Sequence, residues 1–215
     1  MTHLKNLRHQ TLPGFTLVEL AIVLMVIGMI AGAVFKGQDL LESAKVRSVV
    51  NDFNRFKMAV SLYHETYGAL PGDDDKATVH FGADAHDGNG NGIIDGAEVG
   101  YFWEDLAKAG QLPSALPPTS KFGGKYSIVH QPDAQSHGHW IQLGKENGNT
   151  ANGGLLTPKQ AKMLKSKMDE GEDAIDPSKG SLKVIDGTNT SGKCIKDGRL
   201  DLSVKTPVCV VLAQF

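Results

Sequence analysis

The chain has 215 residues, a formal net charge of −2, 40% hydrophobic residues and 21% charged residues. This composition is typical of a folding protein and excludes a chain that is disordered throughout. The near-neutral charge gives no electrostatic reason to expect nucleic-acid binding. The length allows one domain or two small ones, but the apolar residues are spread so unevenly that each region has to be interpreted separately.

The N-terminal segment predicts a membrane anchor. Residues 15–35 form an apolar run whose only charge is Glu19, and about 20 such residues are enough for a helix to cross a bilayer. The preceding segment, residues 1–14, carries Lys5 and Arg8 and no acidic residue. By the positive-inside rule this leader stays in the cytoplasm, which predicts a single-pass membrane protein with an exported C-terminal domain.

A cleavable secretory signal peptide is the alternative interpretation of this segment. The apolar stretch of such a peptide has about 7–15 residues, which is shorter than residues 15–35, and the helical pattern here continues through Lys36, Gly37 and Gln38. Glu19 also argues for the anchor, because an ionisable group in a membrane segment is costly and indicates a function with a partner. The simpler alternative for Glu19 is a charge that reaches the membrane interface on its own.

The residues Gly14-Phe15-Thr16-Leu17-Val18-Glu19-Leu20 resemble the cleavage and methylation signature of prepilins, the precursors of type IV pilins and of type II secretion pseudopilins. The resemblance implies that a prepilin peptidase cuts after Gly14 and methylates Phe15, the new N-terminus. It also implies that Glu19, the fifth mature residue, neutralises the charged amine of Phe15 on a neighbouring subunit in a filament. Pro13 is a small departure from the pattern.

The helical pattern continues after the apolar run. Nine apolar residues between positions 38 and 67 recur mostly at intervals of three and four, opposite a charged face: Leu41, Val46, Val49, Val50, Phe53, Phe56, Val60, Tyr63 and Tyr67. We interpret this stripe as packing against the globular domain of the same chain. The sequence thus predicts one helix over residues 15–67, and residues 15–35 of this helix lie in the membrane. The helix is predicted to end at Gly68.

An acidic, glycine-rich segment follows the helix. Residues 87–98 match the calcium-loop pattern D-x-[DN]-x-[DN]-G-x₅-E, and the predicted oxygen ligands are Asp87, Asn89, Asn91, the Ile93 carbonyl, Asp95 and Glu98. The alternating positions present oxygens, Gly92 makes the sharp turn, and Glu98 closes the site with both oxygens. We predict a structural Ca²⁺ site of modest affinity, with a dissociation constant of about 10⁻⁵ to 10⁻³ M. A flexible, solubilising turn is the alternative.

The remaining sequence predicts a small sheet domain. The strand candidates are residues 126–130, 139–143, 182–185, 200–204 and 208–212, and Thr157 with Pro158 predicts a helix that runs to about Met168. The fold class is therefore α+β, with a long N-terminal helix on a small antiparallel sheet, as the pilin resemblance also implies. The predicted parts are the leader, residues 1–14, the helix, residues 15–67, and the globular domain, residues 68–215.

The cysteines are the two residues Cys194 and Cys209. An exported domain meets an oxidising compartment, so we predict that they form a disulfide. The closed loop of about 15 residues is worth about 3 kcal/mol in the chain-entropy model. Many type IV pilins have a disulfide-bounded C-terminal loop, and this favours a pilin over a major pseudopilin, whereas the calcium loop favours the pseudopilin slightly.

The sequence contains no nucleotide-binding loop, no serine elbow and no cysteine–histidine signature. His130, His137 and His139 lie close together, but no cysteine or well-placed carboxylate completes a zinc set. We therefore interpret these histidines as surface or core residues and predict that the protein is not an enzyme.

The resemblance implies a structural subunit, a pilin or minor pilin, of a type IV pilus-like filament. The implied partners are other pilin or pseudopilin subunits, the prepilin peptidase, the bacterial inner membrane and the assembly machinery, and the implied location is the inner membrane and then a periplasmic or extracellular filament. Two alternatives remain at this point. One is a pseudopilin of a type II secretion system, and the other is a membrane-anchored calcium-binding module that does not polymerise.

Overall fold

The computed structural model describes residues 14–131, 134, 136–148, 150–171 and 173–215, without the side chain of Phe35. The first 13 residues of the predicted leader therefore lie outside the described residues. The chain divides into two compact units, residues 1–41 and 42–215. Helix α1, Leu17–Tyr67, contains residues of both units.

Helix α1 has 51 residues, and it ends where the sequence analysis placed its end. Gly68 follows with a φ of +74°, a left-handed conformation that glycine adopts without steric cost. The Gly68 N–H donates a hydrogen bond to the carbonyl of His64 at 2.8 Å. The glycine thus satisfies a carbonyl of the last turn and stops the helix.

The second part of α1 packs on the globular unit through the predicted stripe. Val46, Val49, Phe53, Phe56 and Tyr63 are all fully buried. The buried stripe is shorter than predicted, because Leu41, its predicted first residue, is 66% exposed. The expected packing of this part of the helix against the chain's own domain is therefore confirmed.

Aromatic rings connect α1 to the sheet. The Phe56 ring meets Trp103 edge-on with ring centroids 5.3 Å apart and meets Tyr126 edge-on at 5.0 Å. Phe53 makes a third edge-to-face contact, with Tyr126, at 5.6 Å. Each such pair contributes about 0.5–1.5 kcal/mol beyond the burial of its area.

The globular unit is an antiparallel sheet with three further helices among the described residues. Its elements in chain order are α2 Ala77–Phe81, α3 Glu98–Lys108, β1 Thr119–Ser120, β2 Gly123–His130, β3 His139–Asn147, β4 Thr150–Gly153, α4 Pro158–Met168, β5 Leu182–Asp186, β6 Ile195–Lys196, β7 Arg199–Leu200 and β8 Cys209–Gln214. The strand order in the main sheet is β1-β2-β3-β8-β5, with β4 paired to β3. All strand pairs are antiparallel, so the predicted α+β architecture of a long N-terminal helix on an antiparallel sheet is confirmed.

Helix α4 begins with the predicted cap. The Oγ1 of Thr157 accepts a hydrogen bond from the Gln160 backbone N–H at 3.3 Å, and the Gln160 side chain accepts one from the Thr157 N–H at 2.9 Å. This reciprocal capping box satisfies two donors that the helix itself leaves unpaired. Pro158 at the first helical position costs nothing there, since that position needs no N–H donor.

The strand predicted at residues 200–204 is wrong except for its first residue. Only Leu200 pairs, within the short ribbon of β6 and β7. The Asp201 carboxylate accepts hydrogen bonds from both the N–H and the hydroxyl of Ser203. This local bonding turns the chain instead of extending it, because it offers the backbone an alternative to a strand ladder.

Candidate functional site

The start of α1 is a second capping box, formed by Thr16 and Glu19. The Oγ1 of Thr16 accepts a hydrogen bond from the Glu19 N–H at 3.1 Å, and the Glu19 carboxylate accepts from the Thr16 N–H at 3.5 Å. The carboxylate also lies at the positive end of the helix dipole, where negative charge is stabilising. Glu19 therefore has a local role within its own chain that the sequence analysis missed, although the T-x-x-E spacing carried the signal.

The first part of α1 exposes apolar side chains on every side. Its large apolar residues are between 48% and 87% exposed: Leu17, Val18, Leu20, Ile22, Val23, Leu24, Met25, Val26, Ile27, Met29, Ile30 and Val34. A helix that is apolar all round is normally found in a membrane or inside a large core. The most apolar 18-residue window of α1 has a mean hydropathy of 2.6 and no buried residue, so α1 is long and apolar enough to cross a membrane.

The segment at residues 87–98 folds around the carboxylate of Glu98. This side chain is 6% exposed, and its two oxygens accept hydrogen bonds from the backbone N–H groups of Asn89 at 3.0 Å and Asp95 at 3.2 Å. One carboxylate thus holds the two arms of the loop together. Helix α3 begins at Glu98, so the last residue of the loop is also the first residue of a helix.

A second buried carboxylate, Asp73, supports the tip of the loop from outside the calcium-loop pattern. It is 4% exposed, and its oxygens accept from the N–H groups of Asn91 at 3.0 Å and Gly92 at 2.7 Å. Its backbone carbonyl accepts from the Gly90 N–H at 3.1 Å. Asp73 lies outside the twelve positions of the calcium-loop pattern, so the pattern does not predict this role.

The two asparagines of the loop bond to their own backbone. The Asn89 Oδ1 accepts from the Asn91 N–H at 3.0 Å, and the Asn91 Oδ1 accepts from the Ile93 N–H at 2.7 Å. Each bond spans two residues and stabilises a local turn. The amide oxygens of both asparagines are thus engaged by backbone N–H groups of the loop itself.

Asp87, the first residue of the pattern, is turned away from the other predicted ligands. Its two oxygens accept hydrogen bonds from the backbone N–H of Thr78 at 2.7 Å and from the Thr78 hydroxyl at 2.9 Å. Asp95 is exposed. Within the part of the chain that the structure describes, no group of three or more His, Cys, Asp or Glu side chains is placed to hold a metal.

The donor set of the loop nevertheless has the chemistry of a calcium site. Glu98 is directed into the loop, Asn89 and Asn91 present amide oxygens, and oxygen ligands are those that Ca²⁺ takes. For Asp87 to join them, it would have to give up its two bonds to Thr78.

The loop is fixed to the sheet by one histidine. The Nε2 of His139 accepts a hydrogen bond from the Ile94 N–H at 3.0 Å, and the Ile94 side chain is 1% exposed. Burial, together with the neighbouring ring of His130 at 4.6 Å, lowers the pKa of His139, which favours the neutral form that can accept this bond. His139 is thus buried, His130 is half-buried and His137 is exposed, which agrees with the prediction of surface or core residues, but the role of His139 as a loop anchor was missed.

Two buried acids lie beneath the end of α1 and were not singled out from the sequence. Asp74 is 1% exposed and accepts a hydrogen bond from the Tyr63 hydroxyl at 2.8 Å, and a second hydrogen bond of 2.8 Å joins it to Nδ1 of His80. Asp105 is fully buried and accepts from the Gly72 N–H at 2.6 Å. Burial raises the pKa of Asp105 to about 6, and the negative charge of Asp74 contributes to the same shift.

The predicted disulfide between Cys194 and Cys209 is present. It joins the segment before β6 to the first residue of β8, an interior strand that pairs with β3 and β5. The Asp186 carboxylate accepts from the N–H groups of Cys194 at 2.6 Å and Ile195 at 3.0 Å. The bridge thus ties the C-terminal loop to the core at both ends.

No protein-family model matches the sequence, and no curated protein matches it. A search of solved structures finds similarity to the major type IV pilin PilA1 from Clostridium difficile, with 19% sequence identity. The match covers 80% of this chain and 95% of that chain, with a TM-score of 0.40. At these values the similarity carries no argument about function.

Proposed function

We propose that the protein is a structural subunit, a pilin or minor pilin, of a type IV pilus-like filament. Cleavage by a prepilin peptidase after Gly14 produces Phe15 as the methylated N-terminus, and the apolar part of α1 holds the subunit in the inner membrane. In the filament these apolar helices pack on one another, and the globular unit forms the outer wall. The proposed partners are therefore further pilin subunits and the assembly machinery.

One observation supports this proposal above the others. A helix that is exposed and apolar on every side over residues 17–34 continues, without a break, into a part that is buried on the chain's own domain. The Gly14-Phe15 junction and the single acid Glu19 lie directly at the start of this helix. A plain anchor explains the apolar helix, and a helix cap explains the Glu19 carboxylate, but neither gives a reason for the Gly14-Phe15 junction directly before them.

Mass spectrometry of the mature protein from cells that express a prepilin peptidase tests the proposal. We expect a chain that begins at Phe15, carries one methyl group and lacks the two hydrogens of the Cys194–Cys209 disulfide. Gly14→Leu should block processing because the junction is changed, whereas Pro13→Ala should be processed as the matched control. An intact Met1 in the wild type would overturn the proposal and would leave a membrane-anchored module that does not polymerise.

A pseudopilin of a type II secretion system is the second candidate. It would share the cleavage, the methylation and the filament, so the same mass spectrum would be obtained. The two candidates differ in the length and place of the filament. Surface pili seen by electron microscopy and labelled through the globular unit would favour the pilin, and their absence together with a secretion defect in a deletion strain would favour the pseudopilin.

We propose in addition that residues 87–98 bind one structural Ca²⁺ ion. The ligands would be Asp87, Asn89, Asn91, the Ile93 carbonyl, Asp95 and Glu98, all presented as oxygens. The bound cation would neutralise the negative charges of this loop and hold its two arms together. The inward orientation of the Glu98 carboxylate supports this proposal.

Calcium binding can be measured by calorimetry and by thermal unfolding of the full chain in detergent. A dissociation constant between about 10⁻⁵ and 10⁻³ M is expected, and Ca²⁺ at 100 times that constant should stabilise the fold by about 2.7 kcal/mol. Asp87→Asn should weaken binding, whereas Asp84→Asn, outside the pattern, should not. An unchanged melting temperature at about 100 mM Ca²⁺, which is 100 times the weakest expected dissociation constant, would refute the calcium proposal and leave the filament proposal intact.

A further inference from the structure

The sequence contains four Asn-Gly pairs, at residues 89–90, 91–92, 147–148 and 152–153. Asn-Gly is the dipeptide most open to succinimide formation, because glycine has no Cβ to hinder attack by its own backbone nitrogen on the asparagine side chain. The four pairs have different surroundings. These surroundings determine which of the four asparagines the fold activates for succinimide formation.

At Asn91 the nucleophile already contacts a base. The N–H of Gly92, the nitrogen that would attack the Asn91 side chain, donates to the Asp73 carboxylate at 2.7 Å. Asp73 is 4% exposed and receives a second N–H bond from Asn91 itself. A carboxylate at hydrogen-bond distance from the proton to be removed meets the geometric condition for general-base catalysis.

The electrophile at Asn91 is held as well. Its Oδ1 accepts the Ile93 N–H at 2.7 Å, and a donor at this oxygen stabilises the negative charge that develops there when the neighbouring carbon is attacked. The Asn91 residue is exposed, so ammonia can leave and water can enter. Gly92 has a φ of +80° and open space on the side where a Cβ would lie, so no group blocks this position.

In the part of the chain that the structure describes, no carboxylate accepts a hydrogen bond from the glycine N–H of the other three pairs. The N–H of Gly90 donates to the backbone carbonyl of Asp73 at 3.1 Å, and an amide carbonyl is a far weaker base than a carboxylate. The amides of Asn147 and Asn152 are joined by a hydrogen bond of 2.9 Å between β3 and β4. Asn89 is thus a matched control two residues away, with the same sequence context and the same buried segment beneath it.

We propose that Asn91 is a built-in deamidation site, with Asp73 as the general base and the Ile93 N–H as the oxyanion donor. The Gly92 nitrogen attacks Cγ of Asn91, and its proton passes to Asp73. The Cγ–Nδ2 bond then breaks, and ammonia leaves with the proton that Asp73 returns. Water hydrolyses either carbonyl of the succinimide, which gives aspartate or isoaspartate at position 91.

The two products would affect the loop differently. Aspartate at position 91 keeps the calcium-loop pattern, which accepts Asp or Asn there, and adds one negative charge. Isoaspartate adds a methylene group to the main chain and moves every following ligand position. The inference about Asn91 does not depend on whether the chain forms filaments or binds calcium.

Peptide mapping of the purified full-length chain, incubated at neutral pH with a chelator, tests the proposal. Lys76 and Lys108 bracket a single tryptic peptide that contains both Asn89 and Asn91, and tandem mass spectrometry separates the two positions. In the folded protein, Asn91 should deamidate at least about tenfold faster than Asn89, as expected for a positioned base. In concentrated urea the two rates should become similar, because the base is no longer held in place.

Asp73→Asn should slow deamidation at Asn91 by about tenfold or more and leave the rate at Asn152 unchanged. Residue 73 lies in a different tryptic peptide, so a reaction at the new asparagine does not interfere. If this variant does not fold, the comparison of folded and urea-treated wild type still decides the matter. Equal rates at Asn91 and Asn89 in the folded wild type, or a faster reaction in urea, would overturn the proposal.

Discussion

The two parts of α1 differ in what surrounds them, although both are rich in apolar residues. Between residues 17 and 34 apolar side chains face every direction and are exposed. Between residues 46 and 63 they form one stripe that is buried on the globular unit, while Met58 on the other face is 73% exposed. The second part is therefore complete within one chain, whereas the first part exposes, among the described residues, an apolar surface of the kind found in membranes or inside large cores.

The largest effect expected from this difference concerns Phe56. Phe56→Ala should lower the free energy of unfolding of the globular unit by about 3–5 kcal/mol, because it leaves a cavity between Trp103 and Tyr126. Met58→Ala, two residues away, should change it by no more than about 0.5 kcal/mol. Urea unfolding of the full chain in detergent, followed by tryptophan fluorescence, measures both. A large effect of Ile22→Ala in the same assay would contradict the separation of the two parts.

The disulfide belongs to the part of the molecule that is complete within one chain. Replacement of Cys194 and Cys209 by serine should cost about 3 kcal/mol of unfolding free energy in the chain-entropy model. The same denaturation assay measures this cost. The apolar part of α1 should still insert into membranes in this variant, and a loss of insertion would mean that the two regions depend on each other.

Asp105 gives a smaller and pH-dependent effect. Its folded-state pKa of about 6 lies above its ordinary value of 3.8, so the folded state holds the proton more tightly than the unfolded state. The contribution of Asp105 to the free energy of unfolding is therefore greatest at low pH, and it is lost as the pH rises from about 4 to about 6. Asp105→Asn should remove that loss and stabilise the neutral-pH protein by up to about 3 kcal/mol.

Thermal melts between pH 4 and pH 8 compare the Asp105→Asn variant with the wild type. The exposed Glu65→Gln is the control, and it should reproduce the pH dependence of the wild type. If the difference between Asp105→Asn and the wild type were constant across this pH range, Asp105 would have no shifted pKa.

The smallest expected change in unfolding free energy concerns the two capping boxes. Thr157→Ala removes the cap of α4 and should cost about 1 kcal/mol of unfolding free energy. Ser166→Ala on the same helix should cost less than about 0.5 kcal/mol. Thr16→Ala removes the equivalent cap of α1 but should leave the globular unit unchanged in the same urea assay, because that cap lies in the other region. A destabilisation equal to that of Thr157→Ala would contradict this view.

The sequence predicted α1 and α4 well because their signals are local, whereas it did not predict α2, Ala77–Phe81. The spacing of the apolar stripe, the Gly68 stop and the Thr157 cap are each contained within a few residues, and the structure has all three. The disulfide was predictable from the expected compartment and from the presence of two cysteines. The strand at residues 200–204 failed because the Asp201 side chain competes for the backbone, an effect that alternating hydrophobicity does not reveal.

The polar contacts of the candidate loop were not predictable, because their partners are distant in sequence. Asp73 reaches Gly92, and His139 reaches Ile94 across 45 positions. Periodicity shows which face of an element is buried, but it does not show which polar groups meet in the interior. For the same reason the pattern identified Asp87 as a ligand position and missed its bonds to Thr78.

The central claim is that the carboxylate of Glu19 pairs with the N-terminal amine of a neighbouring subunit. Glu19 also caps its own helix. Removal of the whole side chain would therefore abolish both the cap and the charge, and the effects of the two could not be separated. Glu19→Gln separates them, because glutamine can complete a capping box but carries no charge. In cells that still cleave after Gly14, we predict that Glu19→Gln fails to form filaments. Filaments as abundant as those of the wild type would contradict the pairing and leave Glu19 as a helix cap.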